Sequence, residues 1–429
     1  MLDLRETERR FVLLGHDAAI LAACQLATLA IVGAASAAPL LTPVWLGVAV
    51  AGLYATEQYA LRPHHDRALE LAVAVATAVT LAVALVLGLG LPAVLGVFMA
   101  WAAAGMALPA GRRLVESWLS GPAVRQRWLL FGTATEAREA HEELRGHPLS
   151  GRRAVGLVLS RGYLPQPFPL LVVGGPGHLA RATAEWSTDG VVVGLEALQA
   201  STWRRTLPPA TRLVDVPTLC ARLSGRVPVR RVDERWFVEH FRWRRGWVFK
   251  GAKRATDLGV ATLALAAFAP VMAIAAIALV LEGGPVIDVQ PHLGRRGRPF
   301  ALSAFRTVDA RGHETRVGRL LRASRLCKLP HLFAVLSGHM ALVGPSPHPV
   351  ELGAELAAYL PHYARRHLVK PGLTGWAQVR DPFGPPLREP ERVLGFDLFY
   401  VQRRSLSLDA VILIRSLFVG LARLTAARS

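Results

Sequence analysis

Residues 258–281 read LGVATLALAAFAPVMAIAAIALVL, a run of 24 residues without a charged side chain. At about 1.5 Å of rise per residue, a helix of this length would cross a hydrocarbon core of about 30 Å. Pro270 lies at the middle of the run, where a proline kinks or breaks a helix. Basic residues flank both ends, and such residues favour the cytoplasmic side. We therefore predict a re-entrant hairpin over residues 255–282, with a single full span as the alternative.

The composition of the 429-residue chain is typical of a membrane protein with basic soluble parts. Hydrophobic residues make up 52% of the sequence, and the mean hydropathy is +0.33. The formal net charge of +19 suits nucleic acids, anionic membrane surfaces or phosphorylated ligands. Because no nucleic-acid-binding motif is recognisable, we predict no nucleic-acid partner. The three cysteines share no metal or disulfide spacing, and we predict no metal site.

Four apolar stretches within residues 1–112 predict an N-terminal four-helix transmembrane bundle. The stretches are 11–35, 41–60, 71–91 and 92–109. Arginines precede the first stretch, separate the second from the third, and follow the fourth, whereas the other two loops carry no charge. The positive-inside rule then places both ends of the bundle in the cytoplasm. Asp17 falls inside the first stretch, and packing against a neighbouring helix is its simpler interpretation.

Residues 125–225 predict a small Rossmann-like α/β module. Helical stretches separate four short apolar runs, at 128–132, 154–160, 169–175 and 189–195. Strands that alternate with helices favour a parallel sheet. The turn after the first run reads GTATEA and keeps only the first glycine of the dinucleotide-binding fingerprint. We therefore favour a structural or regulatory module over a nucleotide-binding one.

The motifs of the C-terminal half carry a family resemblance. In chain order between residues 253 and 413 they are KRATD, GGPVIDVQPHLGRRGRPFALSAFR, RVGRLLRASRL, LPHLFAVLSGHMALVGPSP, YARRHLVKPGLTGWAQVR and FDLFYVQRRSLSLDAVIL. This half resembles the bacterial sugar transferases, the monotopic polyprenyl-phosphate phosphoglycosyl transferases, and the upstream segments look like the large form of that family. The resemblance implies a mostly helical membrane-embedded domain over residues 245–429. It also implies transfer of a sugar-1-phosphate from a UDP-sugar to undecaprenyl phosphate.

The resemblance also implies a catalytic Asp-Glu pair, with Asp as nucleophile and Mg²⁺ offsetting the charge of the diphosphate. At the aligned positions this chain has Cys327 and Lys328, between Arg325-Leu326 and Leu329-Pro330. Ser346 stands where the family's loop has arginine, Val289 stands where an arginine is common, and the acidic stretch before RVGR is shortened. Since Mg²⁺ prefers carboxylate oxygens, we expect that this chain does not bind the metal.

Three interpretations follow from these replacements. The chain could be an inactive family member that binds undecaprenyl phosphate or a nucleotide sugar, or that partners with an intact paralogue. Cys327 could instead be a substitute nucleophile whose pKa is lowered by Lys328 and nearby arginines. In the third interpretation, activity persists through other groups or the chemistry has changed. We favour the first, because the metal-binding residues and the loop arginine are missing as well as the nucleophile.

The resemblance and the basic character of this half together predict the residues that hold lipid phosphate or nucleotide sugar. They are Arg254, Gln290, Arg306, Arg322, Arg325, Ser346, Arg365, Arg366, Lys370, Gln378, Asp397 and Tyr400. Arginine can bind a phosphate through two parallel hydrogen bonds. Anchoring to anionic lipid is an equally good interpretation of the arginines.

The expected binding partners are the lipid bilayer, undecaprenyl phosphate and UDP-sugars. The expected assembly is a homodimer or a heteromer with an intact paralogue. The expected location is the bacterial inner membrane, as a multi-pass protein with its soluble parts on the cytoplasmic side.

Overall fold

The computed structural model describes residues 6–31, 42, 45–46, 48–49, 73, 76–82, 91–119, 121, 125–161, 168–199, 203, 207–208, 211–241, 246–309, 312–381 and 389–426. The chain forms two compact units, Met1–Gly225 and Arg226–Ser429. Residues 226–244, which the sequence left between two predicted domains, belong to the second unit.

Two long helices of the first unit pack against each other, α1 (Glu6–Ile31) and α2 (Leu91–Leu119). Helix α2 continues through Pro109 and Arg112 to Leu119, beyond the end of the fourth apolar stretch at residue 109. Arg112 is fully buried and donates hydrogen bonds from Nε to both carboxylate oxygens of Asp17, at 3.0 and 2.9 Å. A buried carboxylate needs such a partner, and this contact supports the packing interpretation of Asp17.

The number of membrane spans remains a prediction. Among the described helices, two have a segment long and apolar enough to cross a membrane, Val94–Leu119 and Trp247–Leu281. The apolar part of α1, Val12–Thr28, is shorter. Most of the predicted second and third stretches lies outside the described residues.

The rest of the first unit is a parallel five-stranded sheet with the strand order β3-β2-β1-β4-β5. The strands are β1 (Gln126–Gly132), β2 (Arg152–Leu159), β3 (Val172–Gly174), β4 (Gly190–Val193) and β5 (Arg212–Asp215). The helices are α3 (Ala134–Gly146), α4 (Leu179–Glu185), α5 (Leu195–Gln199) and α6 (Val216–Leu223). The predicted α/β module with a parallel sheet is confirmed, and β5 is a strand that the sequence analysis missed.

Apolar side chains cover both faces of this sheet. On one face α3 and α6 pack on the strands, with Ala140 and Leu219 fully buried. On the other face α4 and α5 do so, with Leu179 and Val193 fully buried. Coverage on both faces explains why the strands read as continuous apolar runs rather than as alternating ones.

A side chain of this module occupies the crevice in which such a sheet usually binds its ligand. The strand order reverses between β1 and β4, where open α/β sheets usually bind nucleotides at the carboxyl ends of the strands. Here the Glu136 carboxylate accepts hydrogen bonds from the backbone N–H of Thr133 at 3.0 Å and of Leu195 at 2.7 Å. A carboxylate on these donors repels a phosphate and takes its place, which agrees with the weak glycine fingerprint.

The second unit is mostly helical, with two small strand pairs. Its helices are α7 (Glu234–His240), α8 (Trp247–Leu281), α9 (Arg316–Ala323), α10 (His331–Leu336), α11 (Val350–Tyr359), α12 (Trp376–Arg380), α13 (Pro390–Arg403) and α14 (Leu406–Ala426). An antiparallel hairpin joins β6 (Ile287–Leu293) to β7 (Pro299–Phe305), and a parallel pair joins β8 (Ala341–Val343) to β9 (Gly372–Thr374).

Helix α8 carries the long apolar run. It is helical at every residue from Trp247 to Leu281, Pro270 included, so two separate helices over residues 255–282 are not observed and the re-entrant hairpin is not confirmed. The φ angle that proline fixes is compatible with a helix, and the loss is one backbone hydrogen bond. Large apolar side chains remain exposed along the helix, among them Leu263 at 72% and Ile274 at 68%.

Candidate functional site

Two family-like motifs meet at the β8–β9 pair because glycines allow their backbones to approach closely. A Cβ atom on Gly372 would lie 2.1 Å from the backbone nitrogen of Gly344, and one on Gly375 would lie 2.3 Å from the Gly344 carbonyl oxygen. The Gly344 N–H donates to the Thr374 carbonyl, and the Gly372 N–H donates to the Pro345 carbonyl, both at 2.9 Å. The glycines therefore fix the register between the GPSP loop and the KPGLTG segment.

Cys327 lies in a short 3₁₀ turn, Leu326–Lys328, between α9 and α10. Arg325 opens the turn with a φ of 59°, in the left-handed region. The side chain of Cys327 packs on an apolar cluster that includes Leu279 of α8 and Phe305 of β7. Cys327 is thus half-buried against the end of the long apolar helix.

Burial governs the acidity of this thiol. Burial raises the pKa of Cys327, while the positive charges of Lys328, Arg322 and Arg325 oppose that rise. Because desolvation is the larger effect, Cys327 is a neutral thiol at physiological pH. The expectation that nearby cations would lower the pKa is wrong in its net direction.

Two basic groups near Cys327, those of Lys328 and His331, have lowered pKa values. Protein atoms crowd the ammonium of Lys328, and this burial, followed by the charge of Arg325, lowers its pKa. Lys328 is an exposed residue. Burial, then the charge of Lys328, lowers the pKa of His331 to about 4. The positive potential near Cys327 therefore comes from arginine and lysine and not from histidine.

Arg254 and Arg306 hold the ends of helices. Arg254 donates from Nη1 to the carbonyl of Val335 and from Nη2 to that of Leu336, both at 2.7 Å, at the end of α10. Arg306 donates to the carbonyl of Gly283 at 2.6 Å, just after α8. Basic side chains commonly satisfy the last carbonyls of a helix in this way. Their predicted role in phosphate binding competes with these contacts.

Three further predicted residues contact acidic side chains at the surface. Arg322 pairs with Glu314 at 2.9 Å, and Gln290 donates to Asp288 at 2.9 Å. Arg365 pairs with Glu234 and lies 4.3 Å from the ring centroid of Phe237 in α7. Helix α7, which the sequence analysis did not predict, thus supplies two of the contacts of Arg365.

Arg366 is the centre of a buried polar cluster. Its Nη2 donates to Asp397 at 2.7 Å and to the carbonyl of Ser346 at 2.9 Å, and its Nη1 lies 2.7 Å from Nδ1 of His348. Burial raises the pKa of Asp397, and Arg366 opposes that rise. Burial, then the charge of Arg366, lowers the pKa of His348 to about 3, so this imidazole is neutral. The cluster fixes the GPSP loop on α13.

Ser346 and Gln378 contact each other through a hydrogen bond from the Gln378 amide to the Ser346 hydroxyl. The amide oxygen of Gln378 is buried and has no hydrogen-bond partner among the described residues. A buried acceptor without a partner is costly. This oxygen could therefore accept a hydrogen bond from a ligand in the GPSP loop.

A second buried network was missed by the sequence analysis. The Tyr400 hydroxyl contacts the Val343 carbonyl at 2.9 Å and the Asp409 carboxylate at 2.8 Å. Lys253 donates to the same carboxylate at 2.8 Å and pairs with Asp257 at 3.4 Å. Burial raises the pKa of Tyr400 well above its ordinary value. The residues of this network come from two distant parts of the sequence, the KRATD motif and the region of α13 and α14. Only the fold brings these two parts together.

Three predicted cations remain available to a ligand. Arg325, Lys328 and Lys370 form no hydrogen bond or ion pair through their side chains with any described residue. Burial, followed by the charge of Arg254, lowers the pKa of Lys370. Crowding by like charge favours the arrival of an anion. These three residues are the strongest candidates for phosphate binding in the second unit.

The residues at the turn do not fit Mg²⁺. The charged groups that act on Cys327 are Lys328, Arg322 and Arg325, all of them cations. In the described part of the chain, no group of three or more His, Cys, Asp or Glu residues is arranged to hold a metal. Mg²⁺ requires hard oxygen ligands, which a thiol and an ammonium do not provide.

Fold and site together define a basic domain that has a long, largely exposed apolar helix and lysine and arginine side chains suited to phosphate. The family model described as bacterial sugar transferase matches residues 248–423. The chain belongs to the bacterial sugar transferase family.

Curated relatives agree with this assignment. An exopolysaccharide production protein of Rhizobium leguminosarum bv. phaseoli is 32% identical over 192 residues, which are 40% of this chain and 96% of that protein. A UDP-glucose:undecaprenyl-phosphate glucose-1-phosphate transferase of Caulobacter vibrioides is 38% identical over 38% of this chain and 67% of that protein.

A UDP-N-acetylgalactosamine-undecaprenyl-phosphate N-acetylgalactosaminephosphotransferase of Aeromonas hydrophila is 31% identical over 40% of this chain. The match covers 44% of that relative, so the similarity spans less than half of its length.

Proposed function

We propose that this chain is a membrane-bound family member that binds undecaprenyl phosphate or a UDP-sugar, and in which the usual transfer of sugar-1-phosphate is impaired. The observation that carries the proposal is the neutral thiol of Cys327, surrounded by cations, at the position of the family's nucleophile. A neutral thiol is a poor nucleophile. We infer that Mg²⁺ is not bound at this turn, because the thiol and the ammonium replace both carboxylates.

The unpaired cations support retained binding. Arg325 and Lys328 flank Cys327, and Lys370 belongs to the KPGLTG segment. All three lack a partner among the described residues and are exposed or half-buried. A phosphate or diphosphate would offset their mutual repulsion, since charge-assisted hydrogen bonds to phosphate are strong.

We also infer that α8 enters the membrane and bends at Pro270, so that both of its ends stay on one side. Near its beginning, Arg254 contacts the end of α10, and near its end, Leu279 packs beside Leu321 of α9. Both ends of the helix thus contact the same unit, while side chains between them, such as Leu263 and Phe268, are exposed. This arrangement supports a cytoplasmic, inner-membrane location for the second unit.

Activity is tested with the full chain in detergent or nanodiscs, supplied with undecaprenyl phosphate and a panel of UDP-sugars. We expect no UMP release above background. Release that is abolished by Cys327→Ala would overturn the proposed impairment and favour the cysteine as a substitute nucleophile. The double variant Cys327→Asp/Lys328→Glu shows whether restoring the dyad is enough to restore activity.

Binding is tested separately by photo-crosslinking of labelled undecaprenyl phosphate. We expect crosslinking to the native chain, reduced several-fold in Lys328→Gln and in Lys370→Gln. Arg392→Gln is the matched control, because this exposed arginine already pairs with Asp381 and Glu389. Equal crosslinking in all variants, or none in the native chain, would exclude undecaprenyl phosphate as the ligand of these cations.

A further inference from the structure

A basic cleft of about 420 Å³ lies in the first unit, at the amino-terminal edge of the five-stranded sheet. Among the described residues, no acidic side chain lines the cleft. Its basic lining residues are four arginines and a histidine, namely Arg125, His141, Arg145, Arg152 and Arg153. Arg125 precedes β1, Arg152 and Arg153 open β2, and Arg145 lies in the last turn of α3. The parallel order of β1 and β2 therefore brings these charges to the same edge.

Two of the arginines that line the cleft have no acidic partner among the described residues. Arg145 and Arg153 are exposed and form no ion pair or side-chain hydrogen bond with any described residue. The guanidinium of Arg152 is held 4.8 Å from the ring centroid of Trp128, which fixes its position. Burial, then the charge of Arg145, lowers the pKa of His141, and the charge of Glu142 opposes this decrease.

One polar atom is also left without a partner. Nδ1 of His141 is buried and makes no hydrogen bond within the described part of the chain. The imidazole ring packs beside Phe168, with the two centroids 5.9 Å apart. The cleft therefore combines apolar walls with a buried polar group and several arginines, which is the usual make-up of a ligand site. Its volume is within the usual range of about 300–1,000 Å³.

The position of the cleft points toward the membrane helices. The turn Pro148–Ser150 supplies Pro148 to its lining. The next residue, Leu149, is buried in the same apolar cluster as Leu13 of α1 and Leu108 of α2. Helix α2 contains one of the candidate membrane spans. The cleft thus lies beside helices whose ends would reach the level of lipid headgroups.

We propose that this cleft binds a phosphate group, carried by an anionic phospholipid headgroup or by a free phosphate compound. Guanidinium groups suit this ligand because their forked donors match phosphate oxygens. The usual phosphate position of such a sheet is filled by Glu136, so the module carries its anion site at the opposite edge. The proposal is independent of the sugar-transferase site, which lies in the other unit.

The test measures how fast individual arginines react with phenylglyoxal, read from the modified peptides by mass spectrometry. The full chain is placed in phosphatidylcholine nanodiscs, in the same nanodiscs with inorganic pyrophosphate, and in nanodiscs containing phosphatidylglycerol. We expect Arg145 and Arg153 to react at least threefold more slowly with one of the two anions. Arg222 is the matched control, since it is exposed, lies in the same module and does not line the cleft.

The arms distinguish the two sources of phosphate. Protection by pyrophosphate identifies a free phosphate ligand, and protection by phosphatidylglycerol alone identifies a headgroup. The double variant Arg145→Gln/Arg153→Gln should then lose the protection of Arg125. Absence of protection in every arm, equal protection of Arg222, or unchanged protection of Arg125 in the double variant would overturn the proposal.

Discussion

At the scale of single residues, Cys327 shows how the surroundings of a side chain set its chemistry. Three cations act on the thiol and favour the thiolate, but the apolar cluster around Leu279 and Phe305 disfavours it. The pKa of Cys327 is therefore raised, and nucleophilic attack on a phosphate is disfavoured at neutral pH.

Alkylation of Cys327 by iodoacetamide should be several-fold slower at pH 7.5 than that of a cysteine in a short peptide. The rate should reach half of its maximum at a higher pH than the rate of the peptide does, because burial raises the pKa of Cys327. Lys328→Gln should slow the reaction further, since the charge of Lys328 lowers the pKa. Mass spectrometry of the Cys327 peptide gives the rate, and a midpoint at or below that of the peptide would contradict the expectation.

The Arg366–Asp397 pair predicts a large loss of stability on truncation. Asp397→Ala leaves a buried guanidinium without its partner, which typically costs about 3–5 kcal/mol. Arg366 is 2% exposed and Asp397 is 2% exposed, so water cannot replace the contact. Thermal unfolding in detergent measures the loss. Glu391→Ala, which removes an exposed pair with Arg230, should cost about 0–1 kcal/mol, and equal losses would disprove the argument.

The low pKa of His348 predicts that the protein is less stable in acid. Its pKa is about 3 in the folded chain and about 6.5 when unfolded. As the pH falls, the unfolded chain therefore binds a proton at this histidine before the folded chain does. The free energy of unfolding is highest above pH 6.5 and decreases as the pH falls toward 3. The melting temperature should decrease from pH 7 to pH 5, and less steeply in His348→Gln. His313→Gln, at an exposed histidine, should keep the native slope, and a native slope in His348→Gln would exclude this origin.

At the scale of elements, the β8–β9 pair determines whether the two motif loops stay together. Gly372→Ala would place a Cβ atom 2.1 Å from the backbone nitrogen of Gly344, and the resulting strain should cost about 1–3 kcal/mol. Gly259→Ala is the control, because nothing lies within 4 Å of its Cβ position and alanine favours a helix. Thermal unfolding in detergent compares them, and equal melting temperatures would show that the backbone adjusts freely.

At the scale of the whole molecule, membrane topology separates a return of α8 to one side from a full span. Gly246→Cys and Arg298→Cys place exposed thiols before α8 and after the β6 strand, in a chain whose three native cysteines are replaced by alanine. A membrane-impermeant maleimide added to spheroplasts should label neither site, and permeabilised cells should show both labelled. Labelling of only one site in intact spheroplasts would establish a full span.

Several features of the fold and the site could be predicted from the sequence because they depend on local order. The parallel sheet follows from apolar runs that alternate with helical stretches, and the family follows from motifs such as KPGLTG. The end of α2 could not be predicted, because the partner that lets Arg112 stay buried, Asp17, lies 95 positions away. Helix α7 is short, with seven residues, and its side chains contact residues of the second unit that are distant in the chain, such as Arg365.

By itself, the sequence determined the family, the parallel sheet, the basic character of the chain and the presence of Cys327 and Lys328 where the resemblance implies two carboxylates. These are properties of residue type and spacing. The tertiary structure alone decided which cations are already paired, since Arg254 and Arg366 contact groups distant in the chain. It also decided the net direction of the Cys327 pKa and the position of the basic cleft. Burial and distance set both, and neither is a property of residue order.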